Sequence, residues 1–483
     1  KTEYAASMMA MGHYLSSKQI SVALTTSGPG ILNTVPVLAE AYSSDLPFVL
    51  ISGLIPQSNE GIGGFQDGSG KGGSINIQNV VAPITGFVQT VSVAQDIPQA
   101  LREAFLSAEK TKKPSAVFIP KNLFLESIEE GELALNHSLE PEISIEKILT
   151  FIEKCSSFSS PPFVVLGEKL IHLKSAEKLN KLLEKMDAFV ALTPNAKGFF
   201  NHFSPNYLGI TGVMGNDEVF DSLSQSQNVV LIGTDLDMLS RFGIEPLLKQ
   251  KNILVMSEKQ SPVAKIVDNS NKYFEINGNL EELIERVEKK LVAQSYFQKR
   301  AKKNHDLVKD FTFKSIIEQF SEVIKDDENV FADAGNTGAF VVHDLPLSGK
   351  NLFHVFLGMG GMGNSIGACL GSAVGNQKRS FAFMGDGSFL MYGFEIHTAI
   401  EYNLPIVFIV FNNNSHAMCS TREDVFLGSH SGINNFKESF LGKGIDQMFP
   451  GLRSFDISSQ AELQTCLNLL PEIKSPIIIS LNI

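Results

Sequence analysis

The sequence predicts an α/β protein of three doubly wound parallel-sheet domains, and three observations carry that prediction. Apolar runs of strand length alternate with helix-length amphipathic segments through most of the 483 residues. Glycine-bearing turns recur at the ends of several apolar runs, where open parallel sheets bind ligands. Two blocks of similar size and pattern, 1–121 and 311–483, flank a third at 145–290, and a chain of this length makes about three ordinary domains.

In the first block QISVALTTS, PFVLISG, FVQTV and AVFIP read as strands. ILNTVPVLAEAYSS reads as a helix after the turn Gly28-Pro29-Gly30, and QALREAFLSAEK as a helix before the last strand. The alternation stops between Asn122 and Ser144, an acidic stretch with a proline that reads as a linker. In the second block FVVLG, AFVALTP, VVLIGTD and ILVMSE are strands, and SAEKLNKLLEKMD is a helix between them. The mixed-charge EELIERVEKKLVAQSYFQKRAKK reads as an amphipathic helix with a solvated face. The third block opens with a helix and VFADAG, followed by the glycine-rich LGMGGMGNSIGACLGSAVG. RSFAFM, a helical length FLMYGFEIHTAIEYN, LPIVFIVF and the closing PIIISLNI complete it.

Composition narrows the function classes. Hydrophobic content of 43% and charged content of 19% are those of a globular protein. A net charge of −12, with no concentrated Lys/Arg stretch, argues against a nucleic-acid partner. Cys155, Cys369, Cys419 and Cys466 are scattered without a CxxC pair, which argues for a reducing compartment and against a disulfide scaffold or zinc ribbon. The apolar runs are too short to span a membrane and no signal peptide is visible, so a cytoplasmic location is expected, although the chain begins at Lys1 rather than Met.

Gly385-Asp386-Gly387-Ser388 follows one strand, and Asn412-Asn413-Asn414 ends the next, with one helical length between them. This βαβ arrangement puts polar residues at two strand ends. Gly385 and Gly387 let the backbone approach an anion, and the helix after Ser388 offers it amide groups. Asp386 and the Asn run supply oxygen ligands for a hard cation such as Mg²⁺. A turn and a polar loop would explain the same residues, but chance occurrence of both at one fixed spacing is about one in several thousand.

GDGS paired with NNN resembles the cofactor motif of the thiamine diphosphate (ThDP) enzymes, and chain order elsewhere resembles their acetolactate synthase-like branch. The resemblance implies pyrimidine-binding, middle and diphosphate-binding domains in that order, and ThDP and Mg²⁺ as cofactors. Asp386 and Asn413 would ligate the metal by side chain and Ser415 by its carbonyl. Glu3, which alone would read as a solvated first-turn residue, takes the place of the glutamate that hydrogen-bonds the cofactor's pyrimidine ring. Thr26-Ser27-Gly28-Pro29-Gly30 and Asn33 resemble the wall of the cofactor pocket. Gly335-Asn336-Thr337 and Gly360 fall where the family contacts the diphosphate, and Met362 where a bulky residue bends the cofactor. A methionine there could equally be core filler. His416 and Ala417 follow the metal loop.

Phe65 and Gln66 match residues that face cofactor and substrate in acetolactate synthase-like members, where the decarboxylase branch carries a histidine pair. No histidine lies between His13 and His137, which favours ligation over simple decarboxylation. The resemblance thus implies a decarboxylating carboligase: ylide attack on a 2-oxoacid donor, loss of CO₂, and enamine addition to a carbonyl acceptor. Met418 and Arg422 would contact substrate, with Arg422 standing where the family has tryptophan. IGTDLDMLSRF lacks the run that accompanies flavin binding, which argues against FAD. A site shared between chains implies a homodimer or homotetramer. The rivals are a 2-oxoacid decarboxylase releasing aldehyde and a non-catalytic regulatory or structural subunit.

Overall fold

A computed structural model describes residues 1–129, 145–155, 161–267, 272–294 and 307–483. All pairings between its strands are parallel, and the strands form three sheets. The first contains β1 (Val22–Thr25), β2 (Val49–Leu54), β3 (Phe87–Thr90) and β4 (Ser115–Pro120) in the order β1-β2-β4-β3. The second contains β5 (Phe163–Leu166), β6 (Phe189–Leu192), β7 (Tyr207–Ile210), β8 (Asn228–Ile232), β9 (Asn252–Ser257) and β10 (Tyr273–Asn277) in the order β10-β9-β8-β5-β6-β7. The third contains β11 (Asn329–Ala332), β12 (Leu352–Val355), β13 (Ser380–Gly385), β14 (Ile406–Asn412), β15 (Arg453–Ile457) and β16 (Ile477–Asn482) in the order β12-β11-β13-β14-β16-β15. The expected doubly wound architecture is present three times.

Central strands such as β4, β8 and β14 are buried at every position, as strands covered by helices on both faces must be. That is why they read as continuous apolar runs. The four strands that the sequence pattern does not single out, β7, β10, β12 and β15, all lie at sheet edges. An edge strand needs fewer apolar residues, and Arg453-Ser454-Phe455-Asp456-Ile457 has no apolar run to detect.

Six helices position the rest: α1 (Glu3–Ser17), α2 (Val35–Ser43), α3 (Glu177–Met186), α4 (Asn364–Asn376), α5 (Asp386–Tyr392) and α6 (Ala417–Leu427). The expected single helix over ILNTVPVLAEAYSS is instead two pieces, Pro29–Leu32 and α2, because the second begins anew around Pro36. The lysine-rich segment is helical over Leu280–Lys290 and is more than a solvated face: Leu283, Ile284 and Val287 are buried in the core that also holds α3. Its residues 295–303 lie outside the described ones. Of the expected linker, Lys121–Leu125 forms a 3₁₀ turn, and residues 130–144 lie outside the described ones. Among the described residues no helix is long and apolar enough to cross a membrane.

The first and third sheets are joined by α1 running parallel along α4. Glycines set the closeness of that contact. A Cβ on Gly12 would lie 2.0 Å from the Ala368 carbonyl oxygen, and one on Gly371 would lie 1.9 Å from that of Met9. One hydrophobic core continues from the first sheet through this pair into the third, and a larger one lies between the second and third.

Gly371→Ala should therefore force the two helices apart and destabilise the fold by about 3 kcal/mol or more. Gly444→Ala, in an exposed helix where a Cβ meets no atom within 4 Å, should stabilise by about 0.5–1 kcal/mol. Urea denaturation of the two variants checks the opposite signs.

Candidate active site

β13 and β14 are neighbours in register, with Gly385 opposite Phe411. This pairing sets the GDGS turn beside the asparagine run at the carboxyl edge of the third sheet. Helix α5 begins at Asp386, three residues earlier than the sequence suggested, so Asp386 sits in its first turn. The Asp386 carboxylate is buried, and its oxygens accept from the backbone N–H of Gly387 at 2.8 Å and of Ser415 at 3.2 Å. Burial raises its pKa, against the lowering effect of those amides.

The three asparagines differ in role. Asn412 donates to the Ser439 carbonyl at 2.9 Å and to Asn482 at 3.1 Å. Asn414, held at φ +53°, accepts from the Ser439 N–H at 3.1 Å. Both are tied to the scaffold. Asn413 is exposed and lines a cavity of about 300 Å³, its carbonyl accepting from the Ser415 N–H at 3.1 Å.

That cavity also collects Gly335, Asn336, Thr337, Gly360, Met362, Gly385, Asp386, Gly387, Ser388, Ser415, His416, Ala417 and Met418. Sequence reasoning missed its aromatic wall, Phe313, Phe340 and Phe411, in which Phe313 stacks on Phe411 with centroids 4.3 Å apart. It also missed Cys419 at the rim. Gly387 is needed for room rather than conformation: a Cβ there would stand 2.7 Å from His416 Nδ1 and 3.2 Å from Met362 Cε. Gly360, at φ +67°, turns the chain where few other residues would.

Two buried carboxylates hold the loop that carries Gly360 and Met362. Asp333, in VFADAG, accepts from the N–H of Gly363 at 2.7 Å and of Ser365 at 3.0 Å. Burial raises its pKa to about 6, opposed by those amides and by the Ser388 hydroxyl. Glu40 of α2 reaches across from the first block and accepts from the N–H of Gly358 at 3.0 Å and of Met359 at 2.7 Å. An acidic residue at a strand's carboxyl end was the available signal for Asp333. Nothing local marks Glu40.

The remaining expected residues form a separate group on the first block. Asn33 donates to the Glu3 carboxylate at 3.0 Å, and this bond lowers the Glu3 pKa. Ser27 donates to Gln66 at 3.1 Å, and Gln66 is held at φ +63° against Gly28. A non-glycine residue there carries strain of the kind found at functional sites. Phe65 is 85% exposed. Glu3, Thr26, Gly28, Pro29, Gly30, Asn33, Phe65 and Gln66 do not line the 300 Å³ cavity of the same chain. Nor does Arg422, which is exposed one helical turn beyond Met418 on α6.

The donor set suits a magnesium diphosphate. The Asp386 carboxylate and the Asn413 amide oxygen both accept from the Ser415 N–H, which places two hard oxygen donors together on the cavity, and among the described residues no cluster of three or more His, Cys, Asp or Glu would hold a metal unaided. Mg²⁺ is commonly held by one or two such groups together with phosphate oxygens.

Three family models match the chain. The N-terminal TPP binding domain of thiamine pyrophosphate enzymes matches residues 1–72, their central domain 145–287, and their C-terminal TPP binding domain 333–474. The chain is 23% identical to the acetolactate synthase isozyme 1 large subunit of Escherichia coli, over all of this chain and 86% of that one. It is 23% identical to a protein of Schizosaccharomyces pombe named as a probable pyruvate decarboxylase, over 97% of this chain and 83% of that one. The benzoylformate decarboxylase structure from Polynucleobacter necessarius superposes with TM-score 0.82 at 16% identity, covering 100% of this chain and 90% of that one.

Asp333 gives a pH test. Its folded pKa, about 6, lies above an ordinary unfolded value of about 4. The stability linked to its proton is thus complete below about pH 4 and is lost as pH rises through 6. Asp333→Asn leaves one amide without an acceptor, a loss of about 1–3 kcal/mol. The stability gap between wild type and variant should narrow as pH rises across that window, measured by urea denaturation.

Proposed function

Since the chain belongs to the thiamine pyrophosphate enzyme family, in its acetolactate synthase-like branch, we propose that it is a ThDP- and Mg²⁺-dependent 2-oxoacid decarboxylating carboligase. The observation that carries the ligation step is Gln66. A neutral amide, fixed by Ser27 and a strained backbone, stands where acid–base decarboxylation would need an imidazole. It can donate to developing negative charge on an acceptor carbonyl without supplying a proton.

When bound, thiamine diphosphate supplies the electron sink that allows a 2-oxoacid to lose CO₂. In this reading Asp386, Asn413 and the Ser415 carbonyl hold Mg²⁺, while Gly335, Asn336, Thr337, Gly360, Ser388, His416 and Ala417 surround the diphosphate. Met362, on the cavity wall, would support the cofactor rings. Asn33 keeps the Glu3 carboxyl ionised, so that it accepts a hydrogen bond from the pyrimidine. Met418 and Phe65 exclude water, and Arg422 meets a substrate carboxylate at the cavity mouth.

Because the Glu3 group does not line the cavity of its own chain, a second copy delivers it, making the working unit at least a homodimer. Mixing chains carrying Glu3→Gln with chains carrying Asp386→Asn tests this. Random reassortment should restore about a quarter of wild-type activity from two inactive parents. A site built within one chain would restore none.

A decarboxylase that releases aldehyde is the second reading, favoured by the similarity to the Schizosaccharomyces pombe protein. Product analysis with pyruvate, alone and with a second 2-oxoacid or an aldehyde, separates the two. The proposal expects a new C–C bond in the main product, and Gln66→Ala should lower ligation about 10²-fold while CO₂ release falls less. Aldehyde as the sole product would remove the carboligase assignment.

A further inference from the structure

A second cavity, of about 270 Å³, opens at the opposite ends of the third sheet's strands, where segments from all three blocks meet. Four lysines line it, Lys18, Lys174, Lys350 and Lys378, against a single carboxylate, Asp327. In a chain of net charge −12 that concentration runs against the overall balance. Lys378 pairs with Asp327 at 3.3 Å, and Lys350 with the exposed Asp326 at 3.2 Å. Lys18 and Lys174 have no carboxylate partner among the described residues. The Lys18 ammonium donates to the Leu15 carbonyl at 2.7 Å, and its surroundings pull its pKa down to about 8 by desolvation.

Further donors face the same space. Asn376 and Ser175 line it, and α3 begins beside it, where the Ser175 hydroxyl accepts from the Glu177 N–H at 3.2 Å. The acidic residue of that first turn, Glu177, is turned along the helix to Lys181 at 2.6 Å. A desolvated ammonium and three further lysines, gathered on one cavity against a single carboxylate, favour an anion there.

We propose that this cavity binds a small anion carrying one or two phosphate groups, with Lys18 and Lys174 as its principal partners. The position also gives such an anion a route to the candidate active site. Lys18 caps α1, whose other end carries Glu3, and Lys378 follows α4, whose other end starts at the Gly363 turn. An anion held by Lys18 therefore sits at the far end of the helix that carries Glu3.

The test is calorimetric titration of the full chain, saturated with ThDP and Mg²⁺ to fill the other cavity, with inorganic phosphate and separately with pyrophosphate at constant ionic strength. The proposal expects saturable binding of at least one, weakened about tenfold or more by Lys18→Met and by Lys174→Met. Lys174 is exposed, so its substitution leaves folding intact even if that of Lys18 does not. No binding of either anion at millimolar concentration, or binding that Lys174→Met leaves unchanged, overturns it.

Discussion

The glycine-lined contact between α1 and α4 is the constraint on which the rest of the structure depends. Backbone meets backbone there because Gly12, Gly367 and Gly371 present no side chains, and the two outer sheets share one core through it. The contact also fixes the first turn of each helix. Tyr4, next to Glu3, stacks on Tyr392 at the end of α5 with ring centroids 4.0 Å apart. Asp333 and Glu40 then clamp the loop that leads into α4, one from each side. The cavity wall is rigid because its loops hang on buried carboxylates rather than on surface ion pairs, which contribute little.

Electrostatics divides the molecule along the strand direction. At the carboxyl ends of β13 and β14, a buried carboxylate and helix-start amides face a space that suits a cation and an anion together. At the amino ends of β11, β12 and β13, lysines face a space that suits an anion alone. Parallel sheets favour the first arrangement in general. The second arises where the middle block closes against the other two.

Positive-φ backbone occurs in both groups of candidate site residues. Gln66 and Asn414 both hold positive φ without being glycine. Each is braced, by Ser27 and by Ser439 respectively. Such geometry survives only where neighbours over-determine it.

The sequence by itself determined the α/β class, the central strands, and the GDGS and NNN turns, because strands buried on both faces must be apolar and ligand-bearing turns need particular residue types. It also pointed to Asn413 within a run of three similar residues, although only the structure shows why: Asn412 and Asn414 are occupied with the scaffold. The edge strands β7, β10, β12 and β15 were not legible; β10 and β15 are partly solvated and need no apolar run. Glu40, the Phe313, Phe340 and Phe411 wall, and the meeting of Lys18 with Lys174 were not legible either. These groups stand tens to hundreds of positions from their partners, and no local pattern encodes a contact made only when three sheets close on one another. That the Glu3 group does not line the Asp386 cavity of its own chain is a fact of tertiary structure, one that no local pattern encodes.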